Sequence, residues 1–214
     1  MVEHRPPATV APHATPARPR VWSRLGGATG NSRLTAATGA VLFVLLAVEG
    51  ATLISLQTFL SWHIFVGMLL VPIVLLKLAS TSYRFLRYYT RHHEYVAAGA
   101  PQIVLRLLGP IVVLSTVGLF ATGVALAGLG PGTALLLPLH QASFAVWVGA
   151  MSLHVLGHIR EVPSLAASDF RGRAVDGARV RTLLLAAAIV AGAIVAVATV
   201  PWIGPWVHAM RFDG

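Results

Sequence analysis

The chemistry-bearing residues of this chain are ionisable side chains set within long apolar runs. In the segment LHQASFAVWVGAMSLHVLGH, residues 139–158, three histidines interrupt a sequence that a bilayer would otherwise accept. An ionisable group inside a membrane carries a high free-energy cost, and it usually faces the protein interior or a cavity. Each such group is therefore a candidate site residue. The candidates are Glu49, His63, Lys77, His140, His154 and His158.

Helical spacing places these candidates at two levels. His154 follows His140 by fourteen positions, which in a helix returns it to within about 40° of the same direction, about 21 Å further along the axis. His158 follows by eighteen positions and shares that face, about 27 Å along. Lys77 follows His63 by fourteen positions as well. We therefore predict that His63 and His140 lie at one level, with Lys77, His154 and His158 at the other.

Two opposed imidazoles are able to bind a haem iron from both sides. Gly67 lies one turn from His63 on the same face, and we expect it to leave flat space for a porphyrin. Basic residues at the second level are expected to pair with the propionates of an inner haem; these are Arg84, Arg87 and Arg106. A zinc site built from His154 and His158 would need a third ligand, and none is evident nearby.

The composition indicates an integral membrane protein. Of 214 residues, 56% are hydrophobic and 11% are charged, whereas a soluble domain has roughly 25% charged residues. Several apolar runs exceed the roughly 18 residues that indicate a spanning helix. The chain has no cysteine, which excludes disulfides, iron–sulfur clusters and thiolate ligation. The net charge of +9 comes from basic residues at segment ends, which indicates membrane topology rather than nucleic-acid binding.

The elements that must position the candidates are five predicted spans. They cover about residues 36–57, 62–82, 104–127, 137–159 and 182–203. Short connections predict an all-α, polytopic fold in which the first four spans form an up-down bundle, so that the second and fourth are diagonal partners. The fifth span has no ionisable side chain and is predicted to be a peripheral transmembrane helix.

The predicted domain organisation follows from these spans and from the arginines between them. It comprises a disordered cytoplasmic tail at 1–34, the bundle at 35–160, a cytoplasmic loop at 161–181, the fifth helix at 182–204 and an outer C-terminal tail at 205–214. Arginines concentrate in the first tail and in the loop, and the segments 58–61 and 128–136 have no basic residue. The positive-inside rule therefore predicts a cytoplasmic N-terminus and an external C-terminus.

Three segments resemble a known family: SWHIFVGMLLVPIVLLK, LLGPIVVLSTVGLFATGVAL and LHQASFAVWVGAMSLHVLGH. With the His-x13-His pair, they resemble bacterial four-helix membrane cytochromes b and ferric-reductase-like transmembrane domains. They resemble more closely an actinobacterial cytochrome-b-like membrane family, over about residues 35–160. The resemblance implies a multi-pass protein of the bacterial cytoplasmic membrane. It also implies that His63 and His140 ligate the iron of an outer haem b, with His154 on an inner haem.

Lys77 departs from the pattern of that family, because di-haem relatives have a second histidine on the partner helix. The inner haem is accordingly left open. It is absent, ligated by His154 alone, ligated by His154 with His158 in another role, or ligated by His154 and Lys77. A further alternative is that Lys77 extends to the inner headgroups.

The predicted function is that of an electron-transfer subunit rather than a stand-alone enzyme. Electrons would pass between a membrane quinol pool and an extracytoplasmic or membrane partner through a bis-histidine haem. The expected partners are the lipid bilayer, a quinone and a redox protein, and oligomerisation is left open. Glu49 is either a hydrogen-bonding residue or a proton- or quinone-facing acid. The alternative function is a haem-free membrane scaffold or a proton-coupled carrier; a haem sensor or a ferric reductase with a second chain would share the same site.

Overall fold

The computed structural model describes residues 25–97, 99, 103–158 and 177–212, and no strand occurs among them. Seven α-helices account for most of this part of the chain. They are α1 (Gly27–Thr52), α2 (Leu56–Tyr89), α3 (His93–Ala97), α4 (Ile103–Leu129), α5 (Leu136–His158), α6 (Ala178–Ala198) and α7 (Ile203–Phe212). Single 3₁₀ turns, at Leu53–Ser55 and Val200–Trp202, join α1 to α2 and α6 to α7.

Four helical stretches are long and apolar enough to cross a membrane. They are Gly27–Tyr89, Arg106–Leu129, Leu136–Gly157 and Ala178–Ala198. The first is 63 residues long and contains both α1 and α2. The prediction of an all-α chain with several membrane-spanning helices is thus confirmed at the level of helix length and composition.

Helices α1 and α2 fold back on each other. Ser55 leaves helical geometry, with φ −145° and ψ 82°, immediately before α2. Near the start of α1, Asn31 Nδ2 donates to the Ser80 carbonyl of α2 at 3.1 Å. At the other end of the pair, Thr52 Oγ1 lies 3.1 Å from His63 Nδ1. The two helices are therefore antiparallel.

The apolar core lies between α1 and α2, where side chains at helical spacing are removed from solvent. Its buried members are Leu42, Val66, Leu70, Ile73 and Val74. Phe120 of α4 packs against this cluster, as does Ala188 of α6. The core therefore brings α4 and α6 to the α1–α2 pair.

Two close approaches fix the remaining helices. A Cβ on Gly192 of α6 would lie 2.3 Å from the Leu69 carbonyl of α2, so the two backbones meet there because the residue is glycine. Helix α5 packs along α4, and Trp147 Nε1 donates to Thr116 Oγ1 at 3.0 Å.

Helix α1 begins earlier than the sequence predicts. It starts at Gly27, inside the segment predicted to be a disordered tail, and Leu25, Asn31 and Leu34 are each 1% exposed. Polar residues lower the hydropathy of this segment, but α2 provides hydrogen-bond partners for them. Residues 1–24 lie outside the described residues. The helix also ends at Thr52, so the predicted span 36–57 runs across the turn into α2.

The other boundary differences concern the C-terminal part. Most of the predicted C-terminal tail at 205–214 lies in α7, where Trp206 Nε1 donates to the Leu126 carbonyl of α4 at 3.2 Å. Most of the predicted loop at 161–181 lies outside the described residues. Its last residues belong to α6, whose buried Arg181 donates through Nη1 to the Leu25 carbonyl at 2.8 Å.

Candidate functional site

Two histidines from different helices lie at one end of the α2–α4–α5 assembly. His63 belongs to the first half of α2, and His140 to the first turns of α5. His63 exerts an electrostatic effect on His140. We call these two residues the imidazole pair. The common level that the sequence predicts for them stays a prediction.

Both hydrogen-bond partners of His63 Nδ1 are arranged to accept a proton. Glu49 Oε1 of α1 lies 2.9 Å from Nδ1, and Thr52 Oγ1 lies 3.1 Å from it. The Thr52 hydroxyl gives its own proton to the Glu49 carbonyl at 2.5 Å, so its oxygen is left to accept. A neutral His63 in this setting carries its proton on Nδ1, and Nε2 has the unshared electron pair.

His140 has the same arrangement with different partners. Its Nδ1 lies 3.2 Å from the Leu119 carbonyl of α4, which only accepts. Thr122 Oγ1 lies 3.1 Å from the same nitrogen, and this hydroxyl donates to the Gly118 carbonyl at 2.7 Å. The neutral ring therefore holds its proton on Nδ1 and leaves Nε2 unprotonated. Both members of the imidazole pair thus adopt one tautomer.

Two glycines lie beside the polar side chains of this site. A Cβ on Gly123 of α4 would lie 3.0 Å from His140 Cε1, so glycine lets the ring lie against α4. A Cβ on Gly67 would lie 3.4 Å from Glu49 Oε1. Gly67 was predicted to leave space for a flat ligand, and its described neighbour is the Glu49 carboxylate. A Cβ on Gly149 of α5 would meet no atom within 4 Å.

Among the described residues, only one of the two carboxylate oxygens of Glu49 has a hydrogen-bond partner. Its side chain is 15% exposed and that of His63 is 22% exposed. Oε1 accepts from His63, whereas Oε2 is buried and has no hydrogen-bond partner among the described residues. Because the carboxylate is shielded, its interaction with the imidazole is stronger than that of an exposed pair.

Lys77 lies at the other end of α2 and is turned toward α1. Its Nζ donates to the Thr35 carbonyl at 2.6 Å. Ser80 Oγ lies 3.0 Å from Thr35 Oγ1 in the same polar cluster. Gly39 gives room to this amine, since a Cβ there would lie 3.0 Å from Nζ. The hydrogen bond of Lys77 is therefore made with the α1 backbone rather than with α5.

The two remaining histidines lie near the end of α5. His154 is half-buried, and His158 is the last residue of the helix. Within the described ranges, no group of three or more His, Cys, Asp or Glu residues is placed to hold a metal ion. A metal centre with protein ligands alone is therefore not formed in this part of the chain. Haem iron differs because the porphyrin supplies four ligands, so the two Nε2 atoms of the imidazole pair suffice.

No family model matches this chain, and no curated protein or solved structure matches it either. The resemblance to membrane cytochromes b consequently stays a prediction made from the quoted segments.

Proposed function

We propose that this protein is a membrane-bound b-type cytochrome subunit in which His63 and His140 are the axial ligands of one haem b. The observation that carries the proposal is that Nδ1 of each member of the imidazole pair lies within hydrogen-bond distance of an accepting oxygen on a neighbouring helix. Each Nδ1 faces an oxygen that accepts its proton, and each Nε2 keeps its electron pair. Histidines that bind metals characteristically donate the other ring N–H to a carboxylate or a backbone carbonyl.

Ordinary interfacial histidines do not require this arrangement. The ring nitrogens of a histidine at a membrane boundary form hydrogen bonds with water or lipid headgroups, and either tautomer is able to form them. Here two rings on different helices lie near each other, and α1 and α4 each supply partners for one of them. Two rings that neighbouring helices hold through Nδ1 favour a shared ligand at their Nε2 atoms.

The residues around the imidazole pair hold and tune the ligands. Glu49 accepts from His63 Nδ1, which fixes the ring and increases the basicity of Nε2. Leu119 and Thr122 orient His140 in the same way, and Gly123 sets how far the ring approaches α4. When bound, haem b would supply one-electron redox chemistry. Electron transfer between a quinol pool and an extracytoplasmic or membrane partner is the role that we propose for it.

The same proposal includes five membrane crossings. The helices α1 and α2 have 26 and 34 residues, which at about 1.5 Å per residue gives about 39 and 51 Å. Each exceeds the roughly 30 Å hydrocarbon thickness of a bilayer. We therefore propose that α1 and α2 both cross, with the N-terminus in the cytoplasm and the imidazole pair toward the outside of a bacterial cytoplasmic membrane.

We further propose one haem rather than two. An inner haem held by Lys77 and His154 would need a free amine on Lys77, and Nζ is bound to the Thr35 carbonyl of α1. Without that amine, the second level has histidines from α5 alone. The hydrogen bond of Lys77 thus supports a single haem site.

The experiment is a pyridine haemochrome assay on the full chain purified from haem-supplemented cells, combined with a reduced-minus-oxidised spectrum. We expect about one haem b per chain, retained in His154→Ala and lost in the double variant His63→Ala/His140→Ala. Colourless protein from haem-supplied cells would contradict the proposal and favour the haem-free scaffold or carrier. A haem content that the double variant leaves unchanged would contradict the ligand assignment.

A further inference from the structure

A basic cleft lies at the end of α2 that is remote from the imidazole pair. It has a volume of about 640 Å³, within the roughly 300–1,000 Å³ that is typical of ligand pockets. The end of α2, helix α3 and the start of α4 line this open cleft. We call it the arginine cleft, and its polar lining consists of Tyr88, Tyr89, Arg91, His93 and Arg106.

The arginines of the cleft form no ion pair with an acid in the described part of the chain. Within the described ranges, neither Arg91 nor Arg106 forms an ion pair. Glu94 is the acid of α3, but its carboxylate is directed at the start of α1, where a Cβ on Gly27 would lie 2.8 Å from Oε2. Among the residues that the structure describes, the cleft therefore has two positive charges without a fixed counter-charge.

Arg106 is held so that its terminal amino groups remain available. Its Nε donates to the Tyr89 hydroxyl at 2.6 Å, and its Cζ lies 5.1 Å from the centre of the Tyr89 ring. Stacking on an aromatic ring orders a guanidinium without using its Nη groups. These groups form the fork that binds two oxygens of a phosphate or carboxylate.

Arg91 occupies a backbone position that normally favours glycine. Its φ is 55°, and it closes α2 with a Schellman motif in which Arg91 N donates to Tyr88 O and His92 N to Arg87 O. A left-handed conformation costs a residue other than glycine roughly 1–2 kcal/mol. The turn places this arginine in the lining of the cleft, facing the same space as Arg106.

We propose that the arginine cleft binds the phosphate group of an anionic phospholipid. Two guanidinium groups that form no ion pair among the described residues, together with two tyrosine hydroxyls, are able to donate hydrogen bonds to the oxygens of a phosphate. The lipid source is favoured because α4 continues from the cleft as an apolar face. Ile103 and Leu107 are 74% and 72% exposed there, one turn apart, so an acyl chain is able to lie along α4 while its phosphate occupies the cleft. This site is separate from the haem proposal, which concerns the other end of α2.

The test measures thermal unfolding of the full chain in dodecyl maltoside micelles during titration with phosphatidylglycerol, phosphatidylcholine or sodium phosphate. We expect stabilisation by phosphatidylglycerol at concentrations where phosphatidylcholine has no effect. The apparent affinity should fall about fivefold for each arginine removed, and so about 25-fold in Arg91→Gln/Arg106→Gln. The matched control is Arg211→Gln, which removes the same charge from exposed α7 and should bind like the wild type.

Folding of the variants is checked by their helix content and by their unfolding midpoint without lipid. If the double variant unfolds, Arg106→Lys keeps the charge and removes the fork, and it should still weaken binding. Equal responses to both lipids, or equal binding by the cleft variants and Arg211→Gln, would overturn the proposal. Stabilisation by sodium phosphate without any effect of phosphatidylglycerol would retain the phosphate chemistry and overturn its assignment to lipid.

Discussion

Glu49→Gln isolates the charge of the carboxylate that lies against His63. Glu49 Oε1 is 2.9 Å from His63 Nδ1, and a glutamine amide oxygen is able to accept the same hydrogen bond. A hydrogen bond to a charged group contributes about 1.5–3 kcal/mol and one between neutral groups about 0.5–1.5 kcal/mol. The substitution therefore removes about 1–1.5 kcal/mol of stabilisation.

This loss acts mainly on the oxidised state of a bound haem, because that state has one more positive charge than the reduced state. For a one-electron couple, 59 mV corresponds to a tenfold change in equilibrium constant, or about 1.4 kcal/mol. We therefore expect Glu49→Gln to raise the midpoint potential by about 40–65 mV. The shift in midpoint potential is positive because loss of a negative charge disfavours the oxidised haem, which is the more positive state.

The assay is a spectroelectrochemical titration that follows the α-band of the purified protein. Glu94→Gln is the matched control, because it makes the same chemical change in α3, remote from the imidazole pair, and should leave the potential unchanged. An unchanged or lowered potential in Glu49→Gln, with haem still bound, would refute the proposed role of this carboxylate.

Three further substitutions test the packing and the number of haems. Gly123→Ala puts a Cβ 3.0 Å from His140 Cε1 and should reduce haem content at least severalfold. The control is Gly149→Ala, whose Cβ meets nothing within 4 Å and which should keep its haem. Equal haem content in the two variants would contradict the packing of His140. Lys77→Met should keep both the haem content and the spectrum in the haemochrome assay, because the Lys77 amine donates its hydrogen bond to the α1 backbone. Loss of haem would indicate that Lys77 is a ligand. Gly192→Val should separate α6 from α2 and destabilise the fold by about 1–3 kcal/mol, as overpacking does. Each kcal/mol lowers the thermal unfolding midpoint by roughly 2–4 °C. An unchanged midpoint would contradict the close approach of the two backbones.

Helical periodicity and hydropathy were sufficient to predict the apolar helices. They also predicted that His63 and His140 belong to one level. A rise of about 1.5 Å per residue turns sequence spacing directly into depth, so such a prediction needs little knowledge of packing. Periodicity does not identify Thr52 or Thr122 as partners of the histidines. Both donate to a carbonyl of their own helix, as many helical threonines do, and which of them also faces a histidine depends on how α1 and α4 pack.

The predicted start of α1 was too late for a related reason. Hydropathy counts Asn31 as polar wherever it lies, although its amide nitrogen donates to the Ser80 carbonyl and its side chain is buried. A polar residue with a partner on a neighbouring helix is compatible with burial, but the partner is 49 positions away in the sequence. Gly67 illustrates the same limit. The space that it was predicted to leave for a porphyrin stays a prediction, and the neighbouring Glu49 carboxylate could only be identified once α1 was placed.

The most direct test of the account is the spin state of the ferric protein, with single substitutions of each member of the imidazole pair. Two neutral imidazoles on one iron give a six-coordinate, low-spin spectrum. We expect this spectrum in the wild type and in His154→Ala. His63→Gly and His140→Gly should each convert it to a high-spin spectrum, and added imidazole should restore the low-spin form in both. A low-spin spectrum that persists in either single variant without added imidazole would contradict the central claim that these two side chains hold one iron.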